Sequence, residues 1–142
     1  MWPGQYEPTP AHRFLQKLHE HRKLKRCFTQ NIDSLEAAAG LPKEMVVAAH
    51  GNFDEAHVVG TGARVDVTEL KRAIFEGDRE GGLVKPAITF FGEELPARFG
   101  ECVCTDFAHC RLLLIFGTSL QRPTQRLTQR LPPTSSLSAS VQ

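Results

Sequence analysis

At 142 residues the chain is sized for about one domain, and 41% hydrophobic with 23% charged residues excludes a wholly disordered or collagen-like polypeptide. Seventeen basic against sixteen acidic side chains leave +1, too balanced for the chain as a whole to be held on a polyanion, so no direct nucleic-acid binding is expected. The longest apolar run, residues 112–116, falls far short of the ~20 residues that cross a bilayer, no secretory signal opens the sequence, and the four cysteines lack a disulfide framework. A cytoplasmic or nuclear protein with free thiols and no membrane association is the expectation.

Taken in chain order, Thr9 followed by Pro10 starts a helix, since Thr can cap free amides and Pro fits the first turn. Phe14, Leu15 and Leu18 mark its apolar face, and the basic residues from His12 to Arg26 decorate its solvent side. Residues 27–29 read as a short strand running into the polar turn Gln30-Asn31. Asp33 and Glu36 have capping-box spacing before a short helix that Gly40 ends. Residues 46–48 lead as a strand into His50-Gly51, residues 68–76 form a helix stopped by Gly77, and residues 87–91 form a buried strand. Gly60-Thr61-Gly62 reads as a turn. Residues 96–107 form another helix, and residues 112–116 a strand ending in the small polar turn Gly117-Thr118-Ser119. Strands alternating with helices predict an α/β domain with a parallel sheet.

The last 21 residues contain three Pro, three Thr, four Ser and three Arg but no acid, the composition of a disordered low-complexity tail over 122–142. Without it, residues 1–121 carry a net −2 and nearly all the core-forming side chains, so function is sought there.

In parallel α/β sheets the carboxyl ends of strands gather at one rim, where ligands bind. Three polar turns follow apolar strands: residues 30–33, His50-Gly51 and residues 117–119. Two carboxamides, a carboxylate and a histidine suit a polyol or amide ligand, and His50 can accept a proton near neutral pH. Each residue alone also has a structural reading, Asn31 and Asp33 as caps and His50 as a satisfied, partly buried imidazole.

The ordered combination TQNIDSLE, AAHGNF, GLVKPAITFFGEELPARF and LLLIFGTSLQ resembles the catalytic region of the sirtuins, NAD-dependent protein deacylases, over residues 7–121. The resemblance implies an incomplete Rossmann-like parallel sheet carrying a partial catalytic domain over residues 1–121. It implies that Gln30, Asn31, Ile32 and Asp33 line the nicotinamide and ribose site, and that Gly117, Thr118 and Ser119 contact NAD. His50, with Asn31, inherits the catalytic positions, His50 as the base on a ribose hydroxyl. Phe91, Gly92 and Glu93 match the segment whose backbone pairs with an extended acyl-lysine peptide or protein.

The sequence also departs from the family pattern. The structural zinc of sirtuins is held by two cysteine pairs, whereas Val58, Ala63, Gly77 and Glu80 fall near those positions; residues 57–82 are the degraded remnant of a small zinc module, and no metal is expected. Cys102, Cys104 and Cys110 follow a different spacing and read as packing thiols. Nothing before Glu7 resembles the family's glycine-rich GAG motif, and the pattern is left after Gln121. The expectation is a truncated, divergent sirtuin-type deacylase with impaired NAD binding; the alternative is a noncatalytic peptide-binding module.

Overall fold

A computed structural model describes residues 4–76, 82–118 and 136–141. The chain divides into two compact units, Met1–Pro96 and Ala97–Gln142.

The first unit opens with α1 (Pro10–Glu20), preceded by Thr9 in extended conformation. The Thr9 amide donates to His12 Nδ1 at 3.1 Å, which satisfies an amide just before the first turn. Leu15 and Leu18 are half-buried and Phe14 stays 43% exposed. The helix ends in a pair of reverse bonds, Arg22 N–H to His19 O and Lys23 N–H to Leu18 O, with Arg22 in the left-handed region at φ +56°.

Two three-residue strands follow, β1 (Cys27–Thr29) and β2 (Val46–Ala48), paired parallel with Cys27 opposite Val46 and Thr29 opposite Ala48. Between them run α2 (Leu35–Ala38), Gly40 at φ +98° as its stop, and one 3-10 turn at Lys43–Met45. Cys27, Leu35, Ala39, Leu41, Val47 and Ala49 bury the interior of this layer. The expected capping box at Asp33 and Glu36 is not formed. Ser34 occupies the cap position at φ +59°, the Asp33 carboxylate accepts from the Leu35 amide, and Glu36 turns inward to 4% exposure.

The parallel pairing expected of an α/β domain is present in β1 and β2, and beside it stands a three-stranded antiparallel sheet, in which β3 (Gly51–Val58) lies between β4 (Arg64–Val65) and β5 (Val84–Ile88). α3 (Val67–Glu76) follows β4 and contacts β3, with Leu70 almost fully buried. Its start is fixed by Asp66, whose carboxylate accepts from the Thr68 amide at 2.7 Å. The strand expected at 87–91 lies three residues earlier, because residues 90–93 close a turn: the Glu93 amide donates to Phe90 O, with Gly92 at φ +88°. Gly77 and Glu80 lie outside the described residues.

The second unit contains α4 (Ala97–Phe107), whose buried Phe99, Val103, Asp106 and Phe107 recur at helical spacing. Cys104 is exposed while Cys102 is partly covered, as helical geometry requires of positions two apart. β6 (Leu112–Phe116) pairs parallel with β7 (Ser136–Val141). The tail expected to be disordered over 122–142 therefore contains a strand at its far end; Leu137, Ala139 and Val141 alternate with serines, the period of a strand rather than of unpatterned polar sequence. The remainder of that span lies outside the described residues. Among the described residues no helix is long and apolar enough to cross a membrane.

Candidate functional site

Parallel pairing of β1 with β2 brings the residues that follow each strand side by side. The Ala49 amide donates to Thr29 O at 2.8 Å, extending the ladder by one residue. One step further, His50 Nδ1 lies 2.8 Å from Gln30 O. A carbonyl can only accept, so Nδ1 carries the proton and the neutral ring presents its lone pair at Nε2. The main chain of the turn thus selects the tautomer that leaves Nε2 basic. On its other side His50 is tied to the sheet, its carbonyl accepting from the Thr89 amide at 2.9 Å.

The turn at residues 30–33 is built by its own side chains. Thr29 Oγ1 accepts from the Asn31 amide at 3.1 Å, and Asp33 Oδ1 accepts from the Leu35 amide at 3.1 Å, leaving Oδ2 outside that bond. Asn31 is exposed, while Gln30, Ile32 and Asp33 are half-buried. Sequence reasoning missed the residues that brace this turn from β3. Ser34 Oγ donates to Asp54 Oδ1 at 3.0 Å, Asn52 Nδ2 donates to Asp54 Oδ2 at 3.2 Å, and the Lys43 ammonium stands 3.7 Å from the same carboxylate. The bond to Asp54 compensates the left-handed backbone of Ser34, a conformation that costs on the order of 1 kcal/mol or more in a non-glycine residue. The available signal was the polar Asn52 and Asp54 immediately after His50-Gly51.

Gly51 is required where it stands. Its φ is +67°, and a Cβ there would lie 1.9 Å from Ala87 O, inside the backbone of β5. Glycine is what lets β3 start next to β5 while His50 still reaches the turn at residues 30–33.

Of the other expected site residues, Phe91, Gly92 and Glu93 belong to the turn after β5 and form no strand edge. Phe91 is fully exposed, and the Glu93 carboxylate accepts from the Phe90 amide at 2.9 Å and from Lys85 Nζ at 2.8 Å. Gly117 (φ +63°) and Thr118 follow β6 in the second unit, and Ser119 lies outside the described residues.

The Sir2 family model matches residues 1–123. This chain belongs to the Sir2 family. It is 43% identical over 139 residues to the NAD-dependent protein deacetylase sirtuin-2 of Danio rerio, an alignment covering 92% of the chain and 37% of that relative. It is 42% identical over 129 residues to the NAD-dependent deacetylase sir2A of Dictyostelium discoideum, covering 85% and 25% respectively. To the NAD-dependent protein deacetylase sirtuin-3 of Mus musculus it is 40% identical over 148 residues, covering 100% of the chain and 41% of the relative. The chain therefore spans between a quarter and two fifths of the length of these relatives.

In this Sir2-family chain two of the positions expected from the resemblance to hold zinc, Val58 and Ala63, are among the described residues. Val58 and Ala63 face each other across the Gly60-Thr61-Gly62 turn, joined by Val58 N–H to Ala63 O at 2.8 Å and Gly62 N–H to Val58 O at 2.9 Å. Neither side chain carries a donor atom, so these two positions do not fit a zinc ion. Among the described residues no group of three His, Cys, Asp or Glu side chains is placed to hold a metal.

Proposed function

We propose that the chain carries the ribose-side and acyl-side machinery of an NAD-dependent protein-lysine deacylase, acting on acyl-lysine in a peptide or protein. The observation that carries this reading is the bond from His50 Nδ1 to Gln30 O at the paired ends of β1 and β2. It gives a base with a defined lone pair beside a turn rich in carboxamides. The donor set fits the nicotinamide and ribose end of NAD, with Gln30 and Asn31 as amide partners, Asp33 as acceptor and Ile32 as an apolar wall. Bound there, NAD would supply an electrophilic ribose carbon for the acyl oxygen, with nicotinamide as the leaving group. His50 Nε2 takes the proton of a ribose hydroxyl, and the charge that develops on the ring is stabilised by the Gln30 carbonyl at Nδ1–H. Asn31 orients the reacting ribose. Phe91, Gly92 and Glu93 receive the acyl-lysine segment.

Within this reading two of the positions expected of the family's zinc ligands, Val58 and Ala63, belong to a hairpin closed by its own backbone, and no step runs through a metal.

The test is nicotinamide release from NAD in the presence of an acetyl-lysine peptide. His50→Ala should lower it by at least roughly 100-fold, the scale of a lost general base, with the thermal transition preserved. Turnover undiminished in that variant would exclude His50 as the base. Peptide binding with no NAD binding at any concentration would favour the noncatalytic module.

A further inference from the structure

The carboxylate of Glu93 and the ammonium of Lys85 sit together in the first unit, outside the bonds that position His50. Lys85 lies on β5, opposite His57 of β3, and its side chain is only 20% exposed. Its Nζ makes three contacts at once: it donates to Ile88 O at 2.8 Å and to Glu93 Oε2 at 2.8 Å, and it stands 4.6 Å from the centre of the Phe90 ring. The same Glu93 oxygen accepts the Phe90 amide at 2.9 Å, and the Glu93 amide closes the turn on Phe90 O. One ammonium therefore grips the last carbonyl of the strand, the ring that begins the turn and the carboxylate that ends it. Three donors on a compact cation suit this use. Phe91, at the tip, is left entirely in solvent.

We propose that Lys85 and Glu93 are positioning residues that clamp the turn at residues 90–93, so that Phe91 and the Gly92 backbone are held out rigidly for an extended acyl-lysine segment. The proposal rests on the deacylase reading and deepens it. It reassigns Glu93: its carboxylate is engaged within the chain and contributes to peptide binding by shaping the turn. An ordered turn spares the peptide the entropy of organising its own docking segment, so the clamp acts on affinity and leaves proton transfer at His50 alone. The hydrogen bond from Lys85, reinforced by the Phe90 amide, holds the Glu93 carboxyl below the usual carboxylate range, in keeping with a carboxylate that stays ionised in its clamp.

The full 142-residue chain is titrated with an acetyl-lysine peptide by calorimetry, and amide hydrogen exchange is followed at Phe90. Lys85→Met, which keeps the stem, and Glu93→Ala should each weaken peptide binding roughly tenfold and speed Phe90 exchange at least as much, with NAD affinity unchanged. The paired exchange Lys85→Glu with Glu93→Lys separates a clamp from a simple ion pair. It restores opposite charges but removes the acceptor for the Phe90 amide, so peptide affinity should stay low; recovery of affinity in the double variant would overturn the clamp. Phe90 exchange unaltered by Glu93→Ala would also overturn it, even if the wild type binds peptide. A wild type that protects Phe90 yet binds no acyl-lysine peptide would instead sink the deacylase reading, and with it the positioning role.

Discussion

Gly51 sets the tightest steric limit in the described structure. Replacing it with Ala adds a Cβ 1.9 Å from a backbone carbonyl and demands φ +67° of a residue that avoids it. The backbone of β5 must retreat, and the bond from Thr89 to His50 O goes with it. Gly51→Ala should cost about 3 kcal/mol or more, read as a fall in the urea midpoint, and it should lower turnover even where the protein remains folded. A second residue-scale expectation concerns Cys27, which burial, reinforced by the Glu36 carboxylate, pushes up to about 12. An unfolded thiol releases its proton near pH 8.5 to 9, so between about 9 and 12 the folded state holds the proton more tightly. Stability is therefore fully present below about pH 9 and declines as pH rises toward 12, on the order of 1 kcal/mol per pH unit. Denaturant melts across that window should show a shallower decline in Cys27→Ala; identical slopes would remove Cys27 as the cause. At pH 8 the same residue should react with thiol reagents far more slowly than exposed Cys104.

At the scale of the element, α1 ends with Arg22 in a left-handed conformation inside a pair of reverse hydrogen bonds that glycine usually completes. Arg22→Gly should raise stability by about 0.5–1 kcal/mol, measured as a higher thermal midpoint, since the strain of the side chain outweighs the added freedom of the unfolded chain. Elements whose signals are local were legible in the sequence. The strands at 27–29, 46–48 and 112–116 coincide with β1, β2 and β6, and Thr9-Pro10 marks the start of α1. β3 was not legible: Asn52, Asp54, Glu55 and His57 dilute its apolar pattern, and its strand geometry comes from pairing on both sides. β5 was misplaced because Lys85 and Pro86 resemble breakers, whereas an edge strand tolerates both. The turn at 90–93 looked like a continuing strand because Phe90 and Phe91 are apolar, and its closure depends on a lysine several residues earlier. For the site, the nearness of Gln30 and His50 followed from strand-end logic; the bracing by Ser34, Asn52 and Asp54 did not, because it joins side chains across elements.

For the whole molecule, residues 58 and 63, two positions expected to hold zinc from the resemblance, are closed by backbone bonds, and metal content is the corresponding measurement. Purified chain should carry less than about a tenth of an equivalent of zinc, and chelator should leave its thermal midpoint unchanged; roughly one zinc per chain would refute this and reopen the roles of Cys102, Cys104 and Cys110. The parallel pairing of β1 with β2 has a further consequence, for the order in which the molecule assembles. Gln30 and His50 are separated by 20 positions, and that interval contains its own short helix and 3-10 turn. Closing a loop of that size costs only a few kcal/mol, whereas β5 must return to β3 across the whole of β4 and α3. His50 and the turn at residues 30–33 can thus form as a local folding unit, with β5 and the turn at residues 90–93 docking onto it later through the amide of Thr89.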